Sequence, residues 1–163
     1  MTKSPVRLKL VRDRLAAVGE YLDALRSLPQ ETEEEFLGDR RNPDSAESLL
    51  RRALEALFDV SRHLLAKGLG KGALEYKEVA RLAVDHGLLA DAELGRRFQE
   101  MAGFRNRLTH FYNEVTPREI YGVLCHDLGD LEAVAVALRG AAGRLAEGDE
   151  EPGEDSVDGH DAS

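Results

Sequence analysis

The feature that most constrains this chain is its apolar spacing. From residue 5 to residue 145 hydrophobic side chains recur at intervals of three and four, and no stretch shows strand-like alternation. That spacing gathers side chains on one stripe of an α-helix, whereas a half-buried strand needs a period of two. Residues 5–28 set the pattern with Leu8, Val11, Leu15, Val18, Leu22 and Leu25, and Pro29 stops it. Glu31 to Glu35, interrupted only by Thr32, suit the positive end of a short helix over 30–37 that closes at Gly38. Asp39 to Ser45 reads as a turn. From Ser45 a second long helix carries Leu49, Leu50, Ala53, Leu54, Leu57, Val60, Leu64 and Leu65 until Gly68 and Gly70 end it. Residues 73–90 form a shorter amphipathic stretch, and Asp91 caps a helix bearing Leu94, Phe98, Met101 and Phe104. Thr116 as cap, Pro117 at the first position and Glu119 at the third start a last helix, which runs through Ile120, Leu124, Leu128, Leu131 and Leu138 to about Leu145. The fold class expected is therefore all-α, an antiparallel helical bundle with short connections.

At 163 residues the chain has room for one real core. The helical domain is expected over 1–146, with 147–163 as a disordered acidic tail, since that segment holds eight acids and no Lys or Arg. The formal charge of -9 would ordinarily argue against a nucleic-acid partner. Most of it belongs to the tail, however, and residues 1–146 carry 23 acids against 22 bases. Basic clusters exist locally: Lys3, Arg7, Lys9, Arg12 and Arg14 near the start, and Arg96, Arg97, Arg105 and Arg107 further on. No apolar run approaches the ~20 residues of a membrane span. The single cysteine, Cys125, excludes an intrachain disulfide framework, and the charged start lacks the apolar stretch of a secretory signal. Both point to the cytoplasm.

Chemistry concentrates in Arg105-Asn106-Arg107-Leu108-Thr109-His110-Phe111-Tyr112. An imidazole with a pKa near ~6.5 can take and return a proton at neutral pH. A guanidinium stays charged and can hold phosphate oxygens while negative charge builds on them. Arg105 and His110 together can therefore cleave RNA, which brings its own nucleophile in the 2′-hydroxyl. The spacing alone is weak evidence, because Arg81 and His86 repeat it. What sets the first pair apart is Asn106, one turn before His110, and Tyr112 two residues beyond it. Arg81 and His86 are read as structural. On a regular helix Arg105 and His110 stand about 140° apart at ~3.6 residues per turn, so they converge through Arg105's reach, an unwound helix end or a symmetric dimer. None of the five histidines lies close enough to another in sequence for a helical metal site, and the chemistry calls for neither metal nor cofactor.

The composite Arg-Asn-x-x-x-His-x-Tyr segment, preceded by Met101-Ala102-Gly103-Phe104, closely resembles the HepT-like toxins of the HEPN superfamily. So do Glu20-Tyr21-Leu22, Glu35-Phe36-Leu37, Ala53-Leu54-Glu55-Ala56 through His63, the stretch from Tyr76-Lys77-Glu78 to Leu88-Leu89, and Tyr121; the likeness spans roughly residues 5–140. It implies a HEPN-like bundle that forms a homodimer with the two motifs near the interface. It implies a metal-independent endoribonuclease, the toxin of a type VII toxin–antitoxin pair, with Arg105 and His110 catalytic and Asn106 supporting them. The partner implied is a minimal (MNT-type) nucleotidyltransferase antitoxin that neutralises the toxin by transferring AMP to Tyr112. A second reading makes the chain a non-catalytic binding partner of that nucleotidyltransferase, with Arg105 and His110 holding phosphate but turning nothing over. A purely structural helical adaptor is the third.

Overall fold

The first apolar stripe becomes α1 (Leu8–Arg26), whose Val11, Leu15, Val18, Leu22 and Leu25 are all buried. A computed structural model describes residues 5–73, 75–109 and 115–149, and every regular element among them is helical. The others are α2 (Glu33–Leu37), α3 (Arg41–His63), a π-helical continuation of α3 (Leu64–Gly68), α4 (Tyr76–Asp85), α5 (Ala92–Thr109), α6 (Pro117–His126) and α7 (Leu128–Asp149). None of these helices is long and apolar enough to cross a membrane.

Helix α3 is the spine, packed against α1, α2, α4, α5, α6 and α7. Side-chain pairings give the directions. The Arg7 amide at the start of α1 donates to His63 Nε2 at the end of α3 (3.0 Å), so α1 and α3 are antiparallel. Arg26 at the end of α1 reaches Glu132 near the start of α7 (2.8 Å). Phe58 meets Phe98, and Glu55 meets Arg105, which runs α5 against α3. Gly95 abuts Val84 while Arg105 lies over Tyr76, so α4 runs against α5. One continuous core joins all the helices, with Phe36, Phe58 and Phe98 its largest fully buried side chains.

The caps predicted at Asp91 and Thr116 form, and Thr32 adds one that was not predicted. Thr32 accepts from the Glu35 amide (3.1 Å), Asp91 from Leu94 (3.0 Å) and Thr116 from Glu119 (3.2 Å). Gly87, at φ 74°, closes α4: its amide bonds Val84 O, and the Leu88 amide bonds Ala83 O. A left-handed residue is required there, which is why glycine occupies it.

Several boundaries differ from the sequence expectation. The turn assigned to 39–45 is largely helix, because α3 begins at Arg41. Asp39 accepts both the Arg41 amide and its guanidinium, and Pro43 falls in the first turn, where a missing N–H costs nothing. The expected single last helix is two. The apolar stripe runs unbroken across Asp127, and both halves pack on α3, but their other neighbours differ. On α6, Tyr121 packs on Phe36 and donates to Gln30 O (2.8 Å), whereas α7 lies along α1 and α5. Re-aiming the chain between these neighbours needs a break, and Asp127 takes the C-cap position. Helix α7 continues through Glu147 and Gly148 to Asp149, past the expected domain limit at 146; the tail beyond lies outside the described residues.

Candidate active site

Arg105 stands in the last two turns of α5, with its side chain only 19% exposed. Its guanidinium carbon lies 4.2 Å above the Tyr76 ring, near contact distance for a cation over an aromatic face. One terminal nitrogen is 3.1 Å from Glu55 Oε1 on α3, and the other lies 3.5 Å from Thr109 Oγ1, one turn further along α5. Its Nε is buried without a hydrogen-bond acceptor among the described residues. Ordinary surface arginines sweep through many rotamers; this one is confined by a ring beneath it and a carboxylate at one end.

The ring is itself anchored. Tyr76 packs on Phe58 (centroids 5.0 Å apart), and Phe58 stacks on Phe98 (4.5 Å, 12° between planes). The chain of aromatics thus runs from α5 through α3 to α4 and fixes the platform on which Arg105 rests. A second guanidinium, that of Arg62, lies 5.4 Å from the same ring centroid and pairs with Asp59 (3.7 Å). Glu55, Phe58, Asp59 and Arg62 share one face of α3 at helical spacing, which explains how one helix contributes all four.

Asn106 is half-buried on the same helix. Of the segment singled out from sequence, His110 and Tyr112 lie outside the described residues. Arg81 binds within its own helix, to Glu78 (4.0 Å) and Asp85 (3.3 Å), and exposed His86 is the C-cap of α4. Sequence reasoning missed Glu55, Tyr76 and Thr109 as partners of Arg105. One signal was available for Glu55: it is the lone acid inside the apolar run Ala53-Leu54-Glu55-Ala56-Leu57-Phe58.

On the opposite flank of α5 lies an open cleft of about 690 Å³, floored by Leu54, Met101 and Phe104 and bordered by Arg107, His126 and Asp127. Burial raises the Asp127 carboxyl above the usual aspartate range, and nearby Asp130 adds to the effect. Arg107 bonds Glu119 (3.1 Å), tying the motif helix to the first turn of α6.

The described residues define an all-α helical bundle threaded by α3, with a shielded arginine on an aromatic platform near the end of α5. Comparison with known proteins narrows the class: residues 18–138 match the Ribonuclease HepT-like family, and the chain belongs to it. It is 26% identical over 112 residues to the tRNA nuclease HepT of Aphanizomenon flos-aquae (strain 2012/KM1/D3), covering 69% of this chain and 76% of that protein. The fold is shared with the tri-AMPylated Shewanella oneidensis HEPN toxin solved in complex with its MNT antitoxin, at a TM-score of 0.72 and 20% identity over 80% of this chain and 97% of that one. A toxin–antitoxin crystal structure with AMP-PNP gives a TM-score of 0.70 at 19% identity, over 79% and 97% of the two chains.

Proposed function

We propose that this chain is the endoribonuclease toxin of a type VII toxin–antitoxin pair, working in the cytoplasm as a homodimer and cleaving RNA without a metal. The observation that carries the reading is the Arg105 site. In a chain of the Ribonuclease HepT-like family, the motif arginine is shielded and oriented, and each terminal nitrogen keeps one N–H that these contacts do not use. A guanidinium has five N–H groups, and the Glu55 and Thr109 contacts engage only its two terminal nitrogens.

In this reading neutral His110 takes the proton of the RNA 2′-hydroxyl as that oxygen bonds to phosphorus. The phosphorus–5′-oxygen bond breaks, and the 5′-oxygen leaves with a proton returned from the imidazolium. The products are a 2′,3′-cyclic phosphate and a 5′-hydroxyl. Arg105 stabilises the added charge on the phosphoryl oxygens, and Asn106, one turn before His110, supports the pair. The Tyr112 hydroxyl, giving up its proton, attacks the α-phosphorus of ATP held by an MNT-type nucleotidyltransferase antitoxin, and the bond to the β-phosphate breaks to release pyrophosphate; the new phosphate then competes with RNA for Arg105. The relative named as a tRNA nuclease makes tRNA the first substrate to offer, and the AMPylated toxin of similar fold supports the antitoxin reading.

The test is cleavage of RNA by purified protein in EDTA. Wild type is expected to leave cyclic phosphate ends, and His110→Ala and Arg105→Ala to lose about 10²- to 10⁴-fold in rate, the usual worth of a positioned acid–base group. Binding of the nucleotidyltransferase without any cleavage by the free protein would favour the non-catalytic partner instead.

A further inference from the structure

We infer that Glu55 is a positioning residue for Arg105, and that it acts by holding the guanidinium over Tyr76 in the orientation a phosphate requires. The inference rests on the ribonuclease reading for its catalytic consequence, and on geometry alone for the positioning itself.

Glu55 sits on α3, fifty residues away in sequence, and its carboxylate is the one acidic group bonded to Arg105 among the described residues. It contacts a single terminal nitrogen through a single oxygen at 3.1 Å. A bidentate pair would have occupied a whole edge of the guanidinium and competed directly with phosphate. This single-point contact leaves the remaining N–H groups unclaimed by Glu55. With its side chain 36% exposed, Glu55 keeps contact with solvent, and Arg105 at 19% is dry enough for the contact to restrain it. A free arginine side chain carries considerable rotamer entropy, which must be lost whenever it grips a phosphate. Here the ring below and the carboxylate at one end impose that loss during folding, before any substrate arrives. The support is rigid, because Tyr76 rests on Phe58, and Phe58, three residues after Glu55 on the same helix, stacks on Phe98 of the motif helix. Glu55 and the platform are thus set by one turn of α3 and move together.

An orienting role predicts a loss in kcat, because orientation counts most in the transition state, with little change in KM. Glu55→Ala is expected to lower kcat about 10- to 100-fold, the scale of a displacement near 1 Å, while KM stays within about twofold as ground-state binding is retained. Glu55→Gln keeps an oxygen acceptor and is expected to recover most of that loss. Melting curves of both variants establish that they fold. A second readout does not depend on activity: in ¹⁵N spectra the Arg105 Nε–H signal, identified by its loss in Arg105→Lys, is expected to be shifted and protected in wild type. In Glu55→Ala it should move toward the position of a free arginine. Unchanged kcat in a folded Glu55→Ala, or an Arg105 signal identical in wild type and Glu55→Ala, would overturn the inference. If wild type cleaves no RNA the ribonuclease reading fails separately, and the Arg105 signal still decides whether Glu55 orients it.

Discussion

Substituting Gly95 by Ala tests how α4 is held against α5, and through it the Arg105 site. Gly95 is buried where α5 meets α4, and a Cβ built there would stand 2.9 Å from Val84 Cγ2 and 3.5 Å from Val84 Cγ1. Carbon atoms rest at about 3.5–4.0 Å, so the helices must part by at least roughly 0.6 Å at this point. Valine cannot swing aside cheaply, since branching at Cβ restricts it to few rotamers. Overpacking of this kind costs about 1–3 kcal/mol. Against it stands the gain from removing a glycine inside a helix, roughly 0.8–1.0 kcal/mol. The net expectation is a loss of about 1 kcal/mol, read as a Tm lower by roughly 2–4 °C for a chain of this size. Gly19 supplies the control: a Cβ there meets nothing within 4 Å, so Gly19→Ala should raise Tm by the propensity gain alone. Val84→Ala opens the space that the new methyl needs, and the double variant Gly95→Ala/Val84→Ala should be more stable than the sum of the single effects by about 0.5 kcal/mol or more. Because Tyr76 lies at the other end of α4, parting the helices also shifts the platform under Arg105, and cleavage should fall with stability. Differential scanning calorimetry decides the matter. Should Gly95→Ala stabilise as much as Gly19→Ala, or show no coupling to Val84→Ala, the close approach does not hold α4 in place.

Two further expectations concern the scaffold. Burial, and then the positive charges of Lys67 and Arg7, hold the His63 pKa below its usual value of 6.5. Its Nε2 also accepts the Arg7 amide, which requires the neutral ring. The folded state therefore binds fewer protons than the unfolded one near pH 6; the His63 contribution is present above pH 6.5 and is lost as pH falls through the depressed folded value. Chemical denaturation from pH 7.5 to 5.5 should show declining stability that is flatter in His63→Gln, and equal slopes in the two proteins would refute the assignment. Thr116→Ala removes the acceptor for the Glu119 amide at the start of α6 and should cost about 1 kcal/mol, measured as a denaturation midpoint shift at unchanged m-value. A shift under about a quarter of that would mean that Pro117 and the Arg107–Glu119 pair fix the helix start without the cap.

The sequence by itself determined the helices. Spacings of three and four identified α1, α3 and α5, because a stripe of buried side chains is a local consequence of 3.6 residues per turn. Caps at Asp91 and Thr116 were legible for the same reason, since each bonds an amide only three residues away. Composition and motif also marked Arg105 as the residue around which chemistry should gather. The break at Asp127 was not legible, because the apolar stripe continues through it and only the diverging neighbours of α6 and α7 demand it. Nor could spacing reveal that α3 begins at Arg41, where one carboxylate on Asp39 decides the start. Above all, the surroundings of Arg105 belong to tertiary structure. Glu55, Tyr76 and Arg105 lie on three different helices, and their meeting depends on how α3, α4 and α5 cross. Periodicity says which face of a helix turns inward. Which side chains then meet across the faces is set by packing, where Gly95 lets α4 and α5 approach and Phe58 sets the height of the ring under the arginine.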